Sequence, residues 1–271
     1  MSSVRQAAVA GVFYPGEARV LSREVAVLLA AARAQGEGVW STPKALIVPH
    51  AGYVYSGPMA AQAYARLESA RHTIRRVVLL GPVHHVPVRG LALPGAAVFA
   101  TPLGDLRVDQ PAVAALATLP QVVVSPAAHA QEHSLEVQLP FLQSVLADFT
   151  LVPLAVGDAS PEEVAQVLEV LWGGAETLIV ISSDLSHFLP YTSANKVDAD
   201  TVAHILSLHG PLTHNQACGG TPINGLLLAA RHHHLQPSLL GLCNSGDTAG
   251  DLQRVVGYAA IAFTEVQHVT H

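Results

Sequence analysis

The stretch Leu178-Ile-Val-Ile-Ser-Ser-Asp184-Leu-Ser-His187 is typical of a buried strand that runs into a polar loop. Two other stretches share this form, Ala45-Leu-Ile-Val-Pro-His50 and Arg76-Val-Val-Leu-Leu-Gly-Pro-Val-His84-His85. Their apolar residues are continuous and do not alternate with polar ones, which predicts strands covered on both faces. In open α/β sheets, ligands bind beyond the carboxyl ends of the strands. We therefore expect the three terminal histidines to converge on a metal or acid–base site.

Helical and strand patterns alternate along nearly the whole chain. Residues 18–35 form an amphipathic helical pattern, and the strand pattern at 149–156 is followed by a helical one at 161–172. No repeat, linker or low-complexity block divides the sequence. The prediction is an α/β fold, a single three-layer α/β/α domain over residues 1–271 with a central, mainly parallel or mixed sheet.

Composition narrows the class of protein. Of 271 residues, 50% are hydrophobic and 13% are charged, which supplies a large core and argues against disorder. The net charge of −6 and the lack of a Lys/Arg cluster argue against nucleic acid as a partner. Prolines interrupt the long uncharged stretch at 110–131, so we expect no membrane span. The two cysteines form no Cys-x-x-Cys pair, and we expect a soluble cytoplasmic protein.

The segment around Asp184 and His187 permits two kinds of chemistry. Asp184 lies three residues before His187 and can accept its ring N–H, which would fix the tautomer of an acid–base histidine. Ser182 and Ser183 next to them permit a Ser-His-Asp triad as well. The chain has no Gly-x-Ser-x-Gly motif here, which disfavours a serine nucleophile.

Two further segments carry candidate functional residues. In Glu132-His133-Ser134-Leu135-Glu136, the acids are suited to a helix start, and His133 either packs there or reaches the crevice as a catalytic group. Cys218 precedes a Gly-rich helix start, where the dipole favours a thiolate suited to metal binding or nucleophilic attack.

The remaining candidates receive the simpler interpretation. Cys243 lies in an apolar strand pattern and is expected to pack as an inert core residue. The run His232-His233-His234 closes a predicted helix, and we expect it in solvent without a functional role.

Taken together and in this order, these segments resemble the Memo family, named for a mediator of ErbB2-driven cell motility. The matching segments are Gly11-Val-Phe-Tyr-Pro-Gly16, Pro49-His-Ala-Gly-Tyr53, Gly81-Pro-Val-His-His85, Glu132-His-Ser-Leu-Glu136, Ser182-Ser-Asp-Leu-Ser-His187, Cys218-Gly219 and Gly257-Tyr-Ala-Ala260. Each motif alone is weak, whereas the ordered set is highly specific.

The resemblance implies a fold similar to class III extradiol dioxygenases, non-haem iron enzymes that cleave catechols. It assigns the metal ligands to His50, His84 and Cys218, and an acid–base role to His187 with Asp184 beside it. The bacterial branch resembles protein B of the AmmeMemoRadiSam grouping, which implies AMMECR-type and radical SAM proteins as partners. Those dioxygenases use two histidines and a carboxylate, so a thiolate as the third ligand would be a departure from the donor set used for ring cleavage.

Three functional hypotheses follow from the sequence. The first is a redox metal enzyme with Fe(II) as the main cofactor, or else copper, in which His187, Asp184 and His133 are the catalytic candidates. The second is a binding module that holds a small molecule, peptide or protein in the crevice, with Tyr53 and Tyr55 as anchors and a vestigial metal site. The third is a zinc-dependent hydrolase, which the lack of an evident Glu base beside a ligand disfavours.

Overall fold

The computed structural model describes residues 3–35 and 41–265. Its helices are α1 (Ala18–Gln35), α2 (Tyr53–Tyr64), α3 (Gln110–Ala115), α4 (Pro126–Ala130), α5 (Leu139–Val145), α6 (Pro161–Leu171), α7 (Tyr191–Leu206) and α8 (Gly220–His232). Its strands are β1 (Val4–Arg5), β2 (Ala45–Val48), β3 (Arg76–Pro82), β4 (Leu91–Leu93), β5 (Val98–Thr101), β6 (Gly104–Arg107), β7 (Val122–Val124), β8 (Thr150–Val156), β9 (Thr177–Ser182), β10 (His187–Leu189), β11 (Leu235–Asn244) and β12 (Val255–Glu265). Short 3-10 helices cover Ala65–Ala70, Glu136–Gln138 and Ser245–Asp247.

A mixed central sheet organises the chain. Its strands follow the order β10-β12-β2-β9-β3-β8-β4-β7, and β11 pairs with β12. The strands β2, β9, β3 and β8 at its centre are parallel, whereas β12 and β4 run antiparallel to their central neighbours. A small separate sheet joins β1, β5 and β6. The predicted mainly parallel or mixed sheet is confirmed.

The central strands bury both of their faces, and successive side chains point to opposite cores. On one face, Leu46 packs in a core with α1, α2 and α5. On the other, Ile47 packs in a core with α6, α7 and α8. This arrangement confirms the predicted three-layer α/β/α architecture. The single-domain boundary at 1–271 includes residues outside the described ranges and stays a prediction.

The order of the strands brings the histidine-bearing loops together. Strand β9 lies between β2 and β3, and all three point in the same direction. His50 follows the end of β2, His84 follows the end of β3, and His187 opens β10 just beyond β9. The three loops therefore share one edge of the sheet, as the sequence predicts.

Two other sequence expectations concern helices. The helix expected to start within Glu132–Glu136 begins only at Glu136, because Ser134 donates its N–H to Glu132 and its hydroxyl to the Pro82 carbonyl. A 3-10 turn at Glu136–Gln138 and then α5 follow. Among the described helices, none is long and apolar enough to cross a membrane.

Helices α6 and α8 pack so closely that only glycine fits at their contact. A Cβ added at Gly225 would lie 2.3 Å from Val164 Cγ1 and 3.2 Å from the Ala165 backbone nitrogen. Gly225 of α8 lies beside Val164 of α6, and further along the chain His233 contacts Glu169. The two helices therefore run side by side in the same direction.

We expect Gly225→Ala to lower the free energy of unfolding by about 1–3 kcal/mol, because overpacking forces the helices apart. Urea unfolding of the purified protein measures this change. The control is Gly52→Ala, whose added Cβ meets its nearest neighbour at an ordinary 3.5 Å. An unchanged free energy of unfolding in Gly225→Ala would show that α6 and α8 can move apart without cost.

Candidate metal centre

Three imidazole rings meet beyond the carboxyl ends of β2 and β3. One ring nitrogen each of His50, His84 and His133 lies within 4.8 Å of the other two. The ring centroids are 5.3 Å apart for His50 and His84, 4.7 Å for His84 and His133, and 5.4 Å for His50 and His133. Metal–nitrogen bonds of about 2.0–2.1 Å would bring the donor nitrogens closer to one another than the 4.8 Å within which they lie here. Small side-chain rotations would therefore allow these rings to bind one ion.

Ser182 fixes the tautomer of His50. The Ser182 hydroxyl donates its one hydrogen to the Ser134 carbonyl over 2.6 Å and accepts from Gln138 Nε2 over 2.8 Å. It must therefore accept the third contact, a hydrogen bond of 2.9 Å from His50 Nδ1. With its proton on Nδ1, His50 presents the lone pair of Nε2 to the centre.

Glu132 plays the same part for His84. Its carboxylate accepts from the His84 backbone N–H over 2.6 Å and from His84 Nδ1 over 2.8 Å. Burial raises the pKa of this carboxyl, but the hydrogen bonds from His84 and the Ser134 N–H outweigh burial and lower it to about 2. Glu132 is thus a buried anion that leaves Nε2 of His84 free, the usual outer partner of a metal-binding histidine.

Sequence reasoning treated Glu132 only as part of a helix start and missed this role. The signal was an acid immediately before His133, but a distance of 48 residues separates Glu132 from the ring that it holds. The same carboxylate lies 3.5 Å from His133 Nδ1.

In the three-histidine cluster of His50, His84 and His133, burial keeps His50 and His133 uncharged. Desolvation, with help from the neighbouring imidazoles, lowers the pKa of His50 well below its ordinary value. The same causes lower the pKa of His133 to about 4. A neutral ring carries the lone pair that a metal ion needs, so no proton competes for the nitrogens of His50 and His133 at neutral pH.

Cys218 lies beside this cluster. Its Sγ is 3.4 Å from His50 Nε2 and accepts a hydrogen bond of 3.3 Å from the Asp184 N–H. Burial and then the charge of Asp184 raise the pKa of the thiol to about 12. In the metal-free chain, burial therefore opposes the thiolate that the helix start is expected to favour. Its assignment as a ligand stays a prediction.

The predicted pairing of Asp184 with the ring of His187 is also wrong. Asp184 Oδ1 accepts the His50 backbone N–H over 2.7 Å, and Oδ2 lies 3.9 Å from His50 Nε2. His187 Nδ1 instead donates to the Leu185 carbonyl over 2.9 Å. The chain turns after β9, so Asp184 binds the end of β2 while His187 binds the main chain of its own loop. Burial raises the pKa of Asp184 to about 7.

A cavity of about 1080 Å³ opens beside these groups. Its walls include His84, His85, His187 and Cys218. The adjacent histidines His84 and His85 both line it. The donation from His187 Nδ1 to Leu185 leaves Nε2 as the nitrogen available to a ligand in this cavity.

The N-terminal segment contacts residues of the metal centre and residues that support it. Arg5 forms a buried ion pair with Glu136 and donates to the Glu132 carbonyl over 2.6 Å. The ring of Phe13 lies 4.8 Å from that of His133. No sequence pattern linked these residues to the histidines, because more than 100 positions separate them.

Comparison with known proteins identifies the family of this chain. The family model described as Memo-like protein matches residues 5–262. The chain belongs to the Memo family. A MEMO1 family protein of Methanococcoides burtonii is 37% identical over 95% of this chain and 99% of its own length. Another from Aquifex aeolicus is 33% identical over 96% and 99%, respectively.

The fold of this Memo-family chain also recurs in a solved structure. An uncharacterized protein from Escherichia coli K12 superposes with a TM-score of 0.52 over 82% of this chain and 99% of that one. The two sequences are 17% identical, so the likeness concerns the fold alone. The resemblance inferred from the ordered motifs is confirmed at the level of family and fold.

Removing the charge of Glu132 should weaken the centre. We expect Glu132→Gln to lower Fe(II) affinity about 10–100-fold, because its amide group would face a hydrogen-bond donor and loosen His84. Anaerobic competition with a chromogenic chelator measures this affinity. Glu68→Gln is the control, since Glu68 is an exposed partner of Arg33 far along the surface. Equal affinities in both variants would remove the orienting role of Glu132.

The two thiols should differ in how strongly folding protects them. Only the thiolate is alkylated, and burial raises the pKa of Cys218 to about 12, so its reaction at pH 8 in the metal-free native state should be slowed by more than about tenfold relative to the unfolded chain. Cys243, whose pKa burial raises to about 11, should be slowed less. Mass spectrometry of native and urea-unfolded protein measures both rates. Rapid native alkylation of Cys218 would contradict the burial effect.

Proposed function

We propose that the protein is a mononuclear metal enzyme of the redox type, with Fe(II) as its main cofactor and copper as the alternative. The observation that carries the proposal is the convergence of three imidazole donors within 4.8 Å beside a large cavity. Such a cluster at the carboxyl edge of a sheet is the usual place for chemistry in an α/β fold.

The donor set fits this class of ion. Imidazole binds iron, copper and zinc, and the nearby Cys218 sulfur adds a softer donor that suits copper(I) or zinc as well. His50 and His84 would ligate, joined by Cys218, by His133, or by both. When bound, a redox-active ion supplies one-electron chemistry and Lewis acidity to a ligand in the cavity.

The remaining residues orient groups and move protons. Ser182 and Glu132 hold the ring nitrogens of His50 and His84 in place. His187 lines the cavity with Nδ1 engaged by Leu185, so Nε2 would take a proton from a bound substrate or return one. Asp184 acts through the main chain of His50 and not through His187.

The partners belong to the same proposal. A small molecule or peptide would occupy the cavity, and AMMECR-type and radical SAM proteins would act with the enzyme in the cytoplasm. The rival binding-module hypothesis is weakened because Tyr53 is buried and donates its hydroxyl to the Val137 carbonyl, whereas only Tyr55 is exposed. The hydrolase hypothesis is weakened because Glu132 is fully engaged by His84 and Ser134.

Elemental analysis of tag-free protein purified without oxygen tests the proposal. We expect iron or copper near one atom per chain. His84→Ala should lose most of that metal, whereas His187→Ala should keep it and lose proton-dependent chemistry, because a base must lie off the ion.

Each alternative result has a definite meaning. Zinc in place of iron or copper would favour the hydrolase, and a metal-free protein would favour the binding module. Metal loss in His187→Ala as large as in His84→Ala would make His187 a ligand. If Cys218 is a ligand, Cys218→Ser should lose more metal than its matched control Cys243→Ser, because only Cys218 lies beside His50.

A further inference from the structure

A second group of metal donors lies at the ends of helices α6 and α8. Glu169 stands in the last turn of α6, His232 is the last residue of α8, and His233 follows it. One donor atom of each lies within 4.8 Å of the other two. The carboxylate oxygens of Glu169 are 2.9 and 3.1 Å from His233 Nε2. Two members of the histidine run expected to lie idle in solvent therefore meet an acid from another helix.

The ring of His233 is held in its place. It stacks on Trp172 with centroids 3.7 Å apart and planes inclined by 9°. A ring that is already ordered loses little side-chain entropy when it binds an ion. On the same indole, the Lys44 ammonium lies 5.3 Å from the ring centroid and donates to the carbonyls of Trp172 and Gly174. In these contacts the Lys44 ammonium donates to backbone carbonyls and not to Glu169.

The electrostatics of this corner favour a cation. Helices α6 and α8 run in the same direction, so the negative ends of both dipoles point to it. A carboxylate is disfavoured in the last turn of a helix, yet Glu169 adds its charge there. Arg231, the basic residue just before His232, donates to the Leu208 carbonyl instead.

We propose that Glu169, His232 and His233 form a second metal site, for a divalent ion of the Zn²⁺ type. Two imidazoles and a carboxylate are a familiar ligand set for zinc, with the open position left to water. The site is separate from the three-histidine cluster. Helix α8 alone, at 1.5 Å per residue, places about 20 Å between its start beside Cys218 and its end.

The ion would link the ends of two helices whose beginnings border the cavity. Thr221 at the start of α8 and Ala159 just before α6 both line that cavity. A zinc ion bound at the far ends would fix the distance between α6 and α8, which pack against each other along their length.

Zinc titration of the tag-free, chelator-stripped full chain tests this site. We expect Glu169→Gln and His232→Ala each to abolish one zinc equivalent bound by the wild type, or to weaken it at least about tenfold. The matched control is His234→Asn. It removes an imidazole from the same run but lies outside the donor group, and asparagine tolerates the positive φ of 54° at this position.

Two results would overturn the proposal. One is zinc binding in Glu169→Gln and His232→Ala equal to that of the wild type. The other is an equal loss in His234→Asn, which would mean adventitious binding to a histidine run only. Thermal unfolding without metal gives the baseline melting temperature of each of the four proteins. The zinc-dependent rise in melting temperature should then shrink only in the two ligand variants.

Discussion

The rings of His50 and His133 lie where burial disfavours a positive charge, and both pack against the ring of the exposed His84. A proton on His50 or His133 would lose hydration, and burial accordingly lowers the pKa values of both. Rings that bind a metal ion must also point the correct nitrogen inwards. Ser182 meets this need for His50, and Glu132 meets it for His84. The order of β2, β9 and β3 is what brings all of these groups together.

Glu132 and Glu136 connect this constraint to the rest of the fold. Glu136 is fully buried and accepts from Arg5, from Tyr14 and from two backbone N–H groups of the N-terminal segment. Arg5 also binds the carbonyl of Glu132, which in turn holds His84. Burying two carboxylates is costly unless each is well paired, and here His84 and Ser134 pair with Glu132 while the N-terminal segment pairs with Glu136. The N-terminal segment is therefore part of the support of the centre.

The thiol of Cys218 behaves differently from the imidazoles. With a pKa raised to about 12, it holds its proton at neutral pH until a cation replaces that proton. Binding through Cys218 would release a proton, so affinity would rise with pH; binding through His133, which is already neutral, would not. The same centre thus offers two third ligands that the pH dependence of metal affinity distinguishes.

The sequence by itself determined the three layers and the edge of the sheet that carries the histidines, because continuous apolar strands must be covered on both faces and parallel strands end together. It also determined the family, through motifs in a specific order. Only the tertiary structure decided that Glu132 holds His84, that Asp184 turns to His50, and that His232 and His233 meet Glu169. These contacts join residues far apart in the chain, and the direction of a side chain after a turn depends on packing that no local pattern records.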